Sequence, residues 1–183
     1  MNNNFSYLKE LSNLIDNLDL NEIEDLCKVI INTHKNKKKI FVCGNGGSAA
    51  NANHISNDLM LGMNKKKLGY RFVSLNANVP QLTCIANDLD YSDIFSHQLK
   101  ILGDKNDLLI VLSGSGNSKN IIKVIRQAKK QKIYSFGLLG YDGGLSKKLC
   151  NNYIHFKTFD MQICEDLQMV VMNQVLKNLK SFF

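Results

Sequence analysis

The sequence predicts an α/β protein: a doubly wound, three-layer α/β/α sandwich with a parallel five-stranded sheet, preceded by N-terminal helices. Short apolar runs alternate with amphipathic segments of about 10 to 15 residues, as in crossover units between parallel strands. These runs are apolar throughout, as expected for strands covered on both faces. A chain of 183 residues with 44% hydrophobic content is long enough to build one such core. We therefore expect ligands to bind beyond the carboxyl ends of the strands.

The first predicted elements are two amphipathic helices. Leucine and isoleucine recur at helical spacing between residues 7 and 34, with a break near residues 19–21. We assign residues 1–36 to these helices, as an oligomer interface, and residues 37–183 to the α/β core of a single domain.

The core elements follow in alternation. The runs KIFVC, DLLIVL and KIYSFGLL are short and continuously apolar, which predicts buried strands. The predicted strands are residues 39–43, 70–75, 107–112, 132–139 and 153–156. The predicted helices are residues 49–61, 117–131, 143–150 and 165–179.

The basic charge does not predict a nucleic-acid partner. The 23 Lys and Arg against 16 Asp and Glu give a net charge of +7, with lysine runs at residues 35–39 and 65–67. Neither run is interleaved with aromatic side chains, as a stacking platform for bases would be. The lysines therefore indicate a solvated surface, or a surface that attracts a small anionic substrate.

The cysteines and the N-terminus exclude other classes. Five cysteines, without a C-x-x-C pair, do not suit a disulfide scaffold or a zinc ribbon. The N-terminal residues lack the basic and apolar regions of a signal peptide, and no window approaches 18 uninterrupted apolar residues. We expect a cytoplasmic protein that does not contact a membrane.

Three loops at predicted strand ends carry the functional signal. Residues 44–48 (GNGGS) follow the first strand, and Ser48 there can cap the next helix and donate to an anion. Residues 113–118 (SGSGNS) place hydroxyls and free N–H groups at a helix start, which favours a phosphate group over a plain flexible turn. This loop fits neither the Walker nor the dinucleotide pattern. Residues 140–144 form either an ordinary turn or part of the same crevice.

Four co-linear segments together resemble a known family. GNGGSAANANH, LTCIANDLDYSDIFSHQL, SGSGNSKNIIKVI and GLLGYDGG are similar to the SIS (sugar isomerase) domain, and more narrowly to the sedoheptulose-7-phosphate isomerase (phosphoheptose isomerase) family. The likeness covers nearly the whole chain. It implies aldose–ketose isomerisation of a seven-carbon sugar phosphate for heptose or glycan biosynthesis, in a homo-oligomer that is often a tetramer.

The same resemblance implies a substrate site. The serines of the two loops would hold the phosphate group, and an Asn-Asp pair would line the sugar site; Gly114 stands where the family usually has Thr. The residues assigned to the sugar phosphate are Asn45, Gly46, Ser48, Asp88, Ser113, Ser115, Ser118 and Gln168.

The catalytic positions depart from the family pattern. Asp58 lies four residues after His54, on the same helical face, where the family has a glutamate base. On the last helix, Glu165 and Asn173 stand where the family has glutamine and histidine, and asparagine cannot act as a general acid or base. The resemblance makes Asp58, Glu165 and Asn173 the catalytic candidates. It also implies a zinc or similar divalent ion bound by His54, Asp58 and Glu165.

Two functions remain open at this point. In one, the chain is an isomerase with Asp58 or Glu165 as its base. In the other, it is a non-catalytic phosphosugar-binding or DnaA-associated initiator-type regulator, since those SIS relatives also carry Asn at the last-helix position. The carboxylate at Asp58, which the initiator-type proteins lack, favours the enzyme.

Overall fold

Five short strands form one parallel sheet in the computed structural model, which describes residues 5–61 and 69–180. The lysine run at residues 65–67 lies outside this part. The strands are β1 (Ile40–Gly44), β2 (Phe72–Ser74), β3 (Leu108–Ser113), β4 (Tyr134–Leu139) and β5 (Asn152–His155). All pair in parallel, in the order β2-β1-β3-β4-β5.

Eight α-helices accompany the sheet in the described residues. They are α1 (Ser6–Asp16), α2 (Leu20–Lys35), α3 (Gly46–Leu61), α4 (Val79–Asp88), α5 (Ser96–Leu102), α6 (Lys119–Gln131), α7 (Gly144–Leu149) and α8 (Met161–Lys180). None of the described helices has the length and the apolar character needed to cross a membrane.

Successive strand residues face opposite hydrophobic layers, because side chains alternate across a sheet. Val42 and Ile110 belong to a cluster that includes side chains of α2, α3 and α8. Phe41 and Val111 belong to a second cluster that includes side chains of α4, α5 and α6. The sheet is thus covered on both faces, which confirms the predicted three-layer α/β/α fold.

The strand order positions the site. The sheet is built outward in both directions from β1, so the chain crosses over in opposite senses at the boundary between β1 and β3. In such sheets a crevice forms beyond the carboxyl ends of the two strands at this boundary. The loops after β1 and β3 are residues 44–48 and 113–118, the two predicted as ligand-binding.

The element boundaries differ from the prediction in two informative places. Helix α4 was not predicted, although Asn78 caps it by accepting from Gln81 N–H and Pro80 stands in its first turn. Helix α8 begins at Met161 instead of residue 165, because the Asp160 carboxylate accepts from Ile163 N–H at 3.1 Å. As a result, Glu165 lies in the second turn of this helix.

Candidate active site

The turn between β1 and α3 is held in place by a buried asparagine. Gly44 N–H donates to Asn76 Oδ1 at 3.1 Å, and Asn76 Nδ2 donates to the Gly44 carbonyl at 3.0 Å. Asn76 is itself buried. Gly46 follows with φ +53°, a conformation that glycine adopts without strain. The start of α3 is therefore fixed before any ligand binds.

The loop between β3 and α6 folds back on its own hydroxyls. Ser113 Oγ accepts from Gly116 N–H at 3.0 Å, and Ser115 Oγ accepts from Asn117 N–H at 3.2 Å. Each of these hydroxyls can still donate its proton. The loop thus presents hydroxyl donors beside the start of α6, as a phosphate site requires.

The two loops meet at a small pocket of about 80 Å³. It brings together most of the residues predicted to bind the sugar phosphate, together with one predicted catalytic residue. The lining residues are Asn45, Ser48, Leu112, Ser113, Gly114, Ser115, Ser118, Met161 and Glu165. The volume suits one compact anionic group, since a single water takes about 30 Å³ in the liquid.

One wall of the pocket is positioned by Asn45, whose side-chain amide forms two hydrogen bonds with that of Asn120. Asn45 Nδ2 donates to Asn120 Oδ1 at 2.9 Å, while Asn120 Nδ2 donates to Asn45 Oδ1 at 2.7 Å. Tyr91 O–H also donates to Asn45 Oδ1, at 3.1 Å. Asn120 is buried, so the pair ties the β1–α3 turn to the first turn of α6. The sequence analysis missed Asn120 and Tyr91; a polar residue on the apolar face of α6 was the available signal.

Glu165 lies against the first turn of α3. Its Oε1 accepts from Ser48 N–H at 3.1 Å. A Cβ at Gly47 would lie 2.1 Å from Glu165 Oε2, so the absence of a side chain at Gly47 makes room for this carboxylate. Asn51 Nδ2 donates to the Glu165 carbonyl at 2.9 Å and to Gln168 Oε1 at 3.1 Å. Helices α3 and α8 are therefore joined at this level by polar contacts.

Three predicted substrate residues lie outside the pocket lining: Gly46, Gln168 and Asp88. Gln168 is fully buried beneath Asn51, and its Nε2 has no hydrogen-bond partner among the described residues. Asp88 is exposed at the end of α4. Hydrogen bonds from the Asn87 amide and the Cys84 thiol lower the pKa of Asp88.

Asp58 and Asn173 lie together farther along α3 and α8. Both line a shallow depression between these helices, with Ile55, Met169 and Met172. His54 Nε2 is 3.3 Å from Asp58 Oδ2, and the Asp58 side chain is 31% exposed. Asn173 is eight residues beyond Glu165, which is about 12 Å along the helix axis. The structure thus places Asp58 and Asn173 side by side and separates both from Glu165.

The three predicted zinc ligands do not converge within one chain. The Glu165 carboxylate is at Ser48, whereas His54 is six residues, or about 9 Å, farther along α3. Residues 5–61 and 69–180 contain no group of three or more His, Cys, Asp or Glu side chains that could hold a metal ion. A tetrahedral zinc site needs such a group, so these residues do not fit the ion.

The third loop, residues 140–144, supports the serine loop. Ser146 N–H donates to the Gly116 carbonyl at 2.9 Å, and Leu145 N–H donates to Asn117 Oδ1 at 2.9 Å. This loop does not line the pocket itself. The start of α7 is thus packed against the serine loop, which fixes its backbone.

The parallel sheet and the serine-lined pocket define an α/β protein of the SIS type, and sequence comparison agrees. The SIS domain family matches residues 6–140. Phosphoheptose isomerase from Clostridium acetobutylicum is 36% identical over 138 residues, 75% of this chain and 70% of that protein. The chain therefore belongs to the SIS domain family, and within it to the phosphoheptose isomerases.

Other relatives agree with this placement. Phosphoheptose isomerase from Helicobacter pylori is 43% identical over 121 residues, 66% of this chain but 63% of that protein, which is less than two thirds of its length. The structure of phosphoheptose isomerase from Neisseria gonorrhoeae has a TM-score of 0.86 at 24% identity, covering 95% of this chain and 92% of that chain. The corresponding Francisella tularensis structure gives 0.89 at 22% identity, with the same coverage. These two likenesses concern the fold.

Proposed function

We propose that this chain is an aldose–ketose isomerase that acts on sedoheptulose 7-phosphate. The observation that carries the proposal is the spacing of two features along helices α3 and α8. A serine-lined anion pocket lies near the start of both helices, and the Asp58 carboxylate lies farther along α3, beside Asn173 of α8. The similarity to phosphoheptose isomerases supports the choice of substrate.

The phosphate group would occupy the pocket between Ser48 and the loop of residues 113–118. The hydroxyls of Ser115 and Ser118 and the N–H groups at the start of α6 would donate to its oxygens. Among residues 5–61 and 69–180, no lysine or arginine lines this pocket. Binding would therefore depend on oriented dipoles and hydroxyls, and the excess of basic residues elsewhere is not needed for it.

The carbonyl end of the substrate would then approach Asp58. In an extended seven-carbon chain, C1 and C2 lie about 8–10 Å from the phosphorus, at about 1.2 Å per bond. Asp58 is ten residues beyond Ser48, about 15 Å along the axis, and its side chain leans back towards the N-terminus of α3. Glu165 lines the phosphate pocket itself and is too close to the phosphate to reach C1. We therefore assign the base to Asp58.

The reaction would proceed through an enediol. The Asp58 carboxylate takes the proton from C1 of the ketose and returns it to C2, while a hydroxyl proton moves between O1 and O2, so that the aldose forms without any other reactant. His54, 3.3 Å from Asp58, orients the carboxylate. Asn173 cannot transfer a proton, but its amide can donate a hydrogen bond to the oxygen that becomes negative.

Turnover of sedoheptulose 7-phosphate by the purified protein tests this function. We expect conversion to the aldose heptose phosphate, measured by NMR, with and without added zinc. If no ketose or aldose phosphate is converted although sugar phosphate binds, the proposal fails. A non-catalytic phosphosugar-binding regulator would then be favoured, and Asn173 would explain the missing chemistry.

Removal of two pocket hydroxyls should weaken binding strongly. The double variant Ser115→Ala, Ser118→Ala loses hydrogen bonds to a charged group, each worth about 1.5–3 kcal/mol. We expect the Kd for sedoheptulose 7-phosphate, measured by calorimetry, to rise at least about tenfold. Ser12→Ala, at an exposed position on α1, is the control. An unchanged Kd in the double variant would contradict the phosphate assignment.

We also propose that the chain assembles as a homo-oligomer, a tetramer by resemblance, through its N-terminal helices. No side chain of α1 is buried, and Phe5, Leu8 and Leu20 are more than half exposed. Apolar side chains exposed in this way favour contact with another surface. A single-domain organisation over residues 1–183 and a cytoplasmic location complete the proposal, and the five free thiols suit a reducing compartment.

A further inference from the structure

We infer that the Glu165 carboxylate already occupies one anion-binding donor of the serine-lined anion pocket, Ser48 N–H, and competes with an incoming phosphate group for it. The inference rests on the proposed phosphate role of this pocket. It makes Glu165 a specificity-determining residue, which weakens the binding of simple anions and leaves the advantage to ligands that make further contacts outside the pocket.

The geometry shows a carboxylate bound where an anion would bind. Glu165 Oε1 accepts from Ser48 N–H at the start of α3, at 3.1 Å. The same carboxylate lines the small pocket that is also lined by Ser113, Ser115 and Ser118. Gly47 lies directly under it, since a Cβ there would be within 2.7 Å of both carboxylate oxygens and the carbon between them. The Glu165 side chain therefore packs closely against the first turn of α3.

The charges around the pocket determine how the hydrogen bond between Ser48 and Glu165 affects phosphate binding. Among the nine residues that line the pocket, Glu165 is the only charged one. A phosphate group in about 80 Å³ would thus meet one negative charge at close range, and no positive side chain of the described residues lines the pocket to offset it. Either the carboxylate leaves Ser48 N–H, or the phosphate binds against the repulsion.

Separate contacts hold the backbone and the side chain of Glu165. Asn51 Nδ2 fixes the Glu165 carbonyl at 2.9 Å, so displacement would require only rotation about side-chain bonds. Ser48 N–H would then be free to donate to the phosphate. A sugar phosphate would compensate this cost through contacts of its hydroxyl groups outside the pocket, whereas inorganic phosphate has no such groups.

Inorganic phosphate binding in the full-length chain tests the inference without using catalysis. Glu165→Gln keeps the size of the side chain and an acceptor for Ser48 N–H, but removes the charge. We expect calorimetry at neutral pH and low salt to show phosphate binding about tenfold tighter in Glu165→Gln than in the unchanged protein. Asp166→Asn is the matched control: it removes a charge from the adjacent residue, which contacts Tyr7 outside the pocket. It should change the affinity less than about twofold.

Every outcome of this experiment decides the inference. Tighter binding in Glu165→Gln alone supports it. Equal or weaker binding in a folded Glu165→Gln variant overturns it, as does an equal gain in Asp166→Asn or the absence of phosphate binding in every variant. Turnover of sedoheptulose 7-phosphate is a separate measurement. An active protein whose Glu165→Gln variant gains nothing refutes the inference alone, whereas an inactive protein whose variant gains affinity refutes only the isomerase.

Discussion

Asp58→Asn is expected to lower kcat for sedoheptulose 7-phosphate by about 10²- to 10⁴-fold, the usual contribution of a positioned general base. The substitution keeps the size of the side chain but removes the group that accepts the C1 proton. Because the phosphate would still bind at the serine pocket, which Asp58 does not line, KM should change little. Steady-state kinetics over a range of substrate concentrations separates these two effects.

The control for this variant is Asp16→Asn, which removes one carboxylate from an exposed position at the end of α1. It should leave kcat unaltered. Two results would argue against Asp58 as the base. One is a kcat that stays within about threefold of the unchanged protein, since that is far below the effect of losing a general base. The other is a large kcat loss in Glu165→Gln with none in Asp58→Asn, which would assign the base to Glu165.

The architecture and the pocket could be predicted from the sequence because both depend on local patterns. The apolar strands β1, β3 and β4 were recognisable from continuous hydrophobic runs. Parallel strands place their carboxyl ends at one edge, so the serines of residues 113–118 and Ser48 had to lie near each other. Helix α4 was missed because residues 79–88 show no clear apolar face and only one buried residue, Ile85.

Contacts between distant side chains could not be predicted in this way. The hydrogen bonds between the Asn45 and Asn120 side chains join segments that are 75 residues apart. The hydrogen bond from Ser48 N–H to the Glu165 carboxylate joins segments that are 117 residues apart. Both depend on how α6 and α8 rotate against the sheet, which no local pattern specifies. The same limit explains why the sequence did not reveal that the three predicted zinc ligands do not converge in the structure. Residue types and spacing put His54 and Asp58 on one helical face, but the direction of the Glu165 side chain was not part of the pattern.

One departure from the family pattern has a structural explanation in this chain. Gly114 stands in the serine loop where the family usually has threonine. A Cβ at this position would lie 2.3 Å from Met161 Sδ, so a side chain here would overlap Met161. Met161 is the first residue of α8 and lines the pocket beside Ser113. Gly114 and Met161 are thus complementary: the space that a threonine would occupy is filled from α8.

Gly116→Ala is expected to lower the free energy of unfolding more than any other substitution named above. Gly116 has φ +63°, which costs a residue with a Cβ about 1–2 kcal/mol. Its Cβ would also lie 2.0 Å from the Gly143 carbonyl oxygen, a backbone atom that cannot rotate away. Overpacking of this kind typically costs about 1–3 kcal/mol more. The free energy of unfolding, measured with urea, should therefore fall by about 2–5 kcal/mol.

Gly46→Ala separates the two contributions to this loss. Gly46 has nearly the same backbone conformation, φ +53°, but a Cβ there would meet no atom of the described part of the chain within 4 Å. It should lose only the conformational part, about 1–2 kcal/mol. If the two variants lose equal stability, the contact between the serine loop and Gly143 is not tight in solution. A larger loss in Gly116→Ala shows instead that the loop of residues 140–144 holds the serine loop in its ligand-binding shape, since Ser146 N–H and the Gly143 carbonyl approach the same residue.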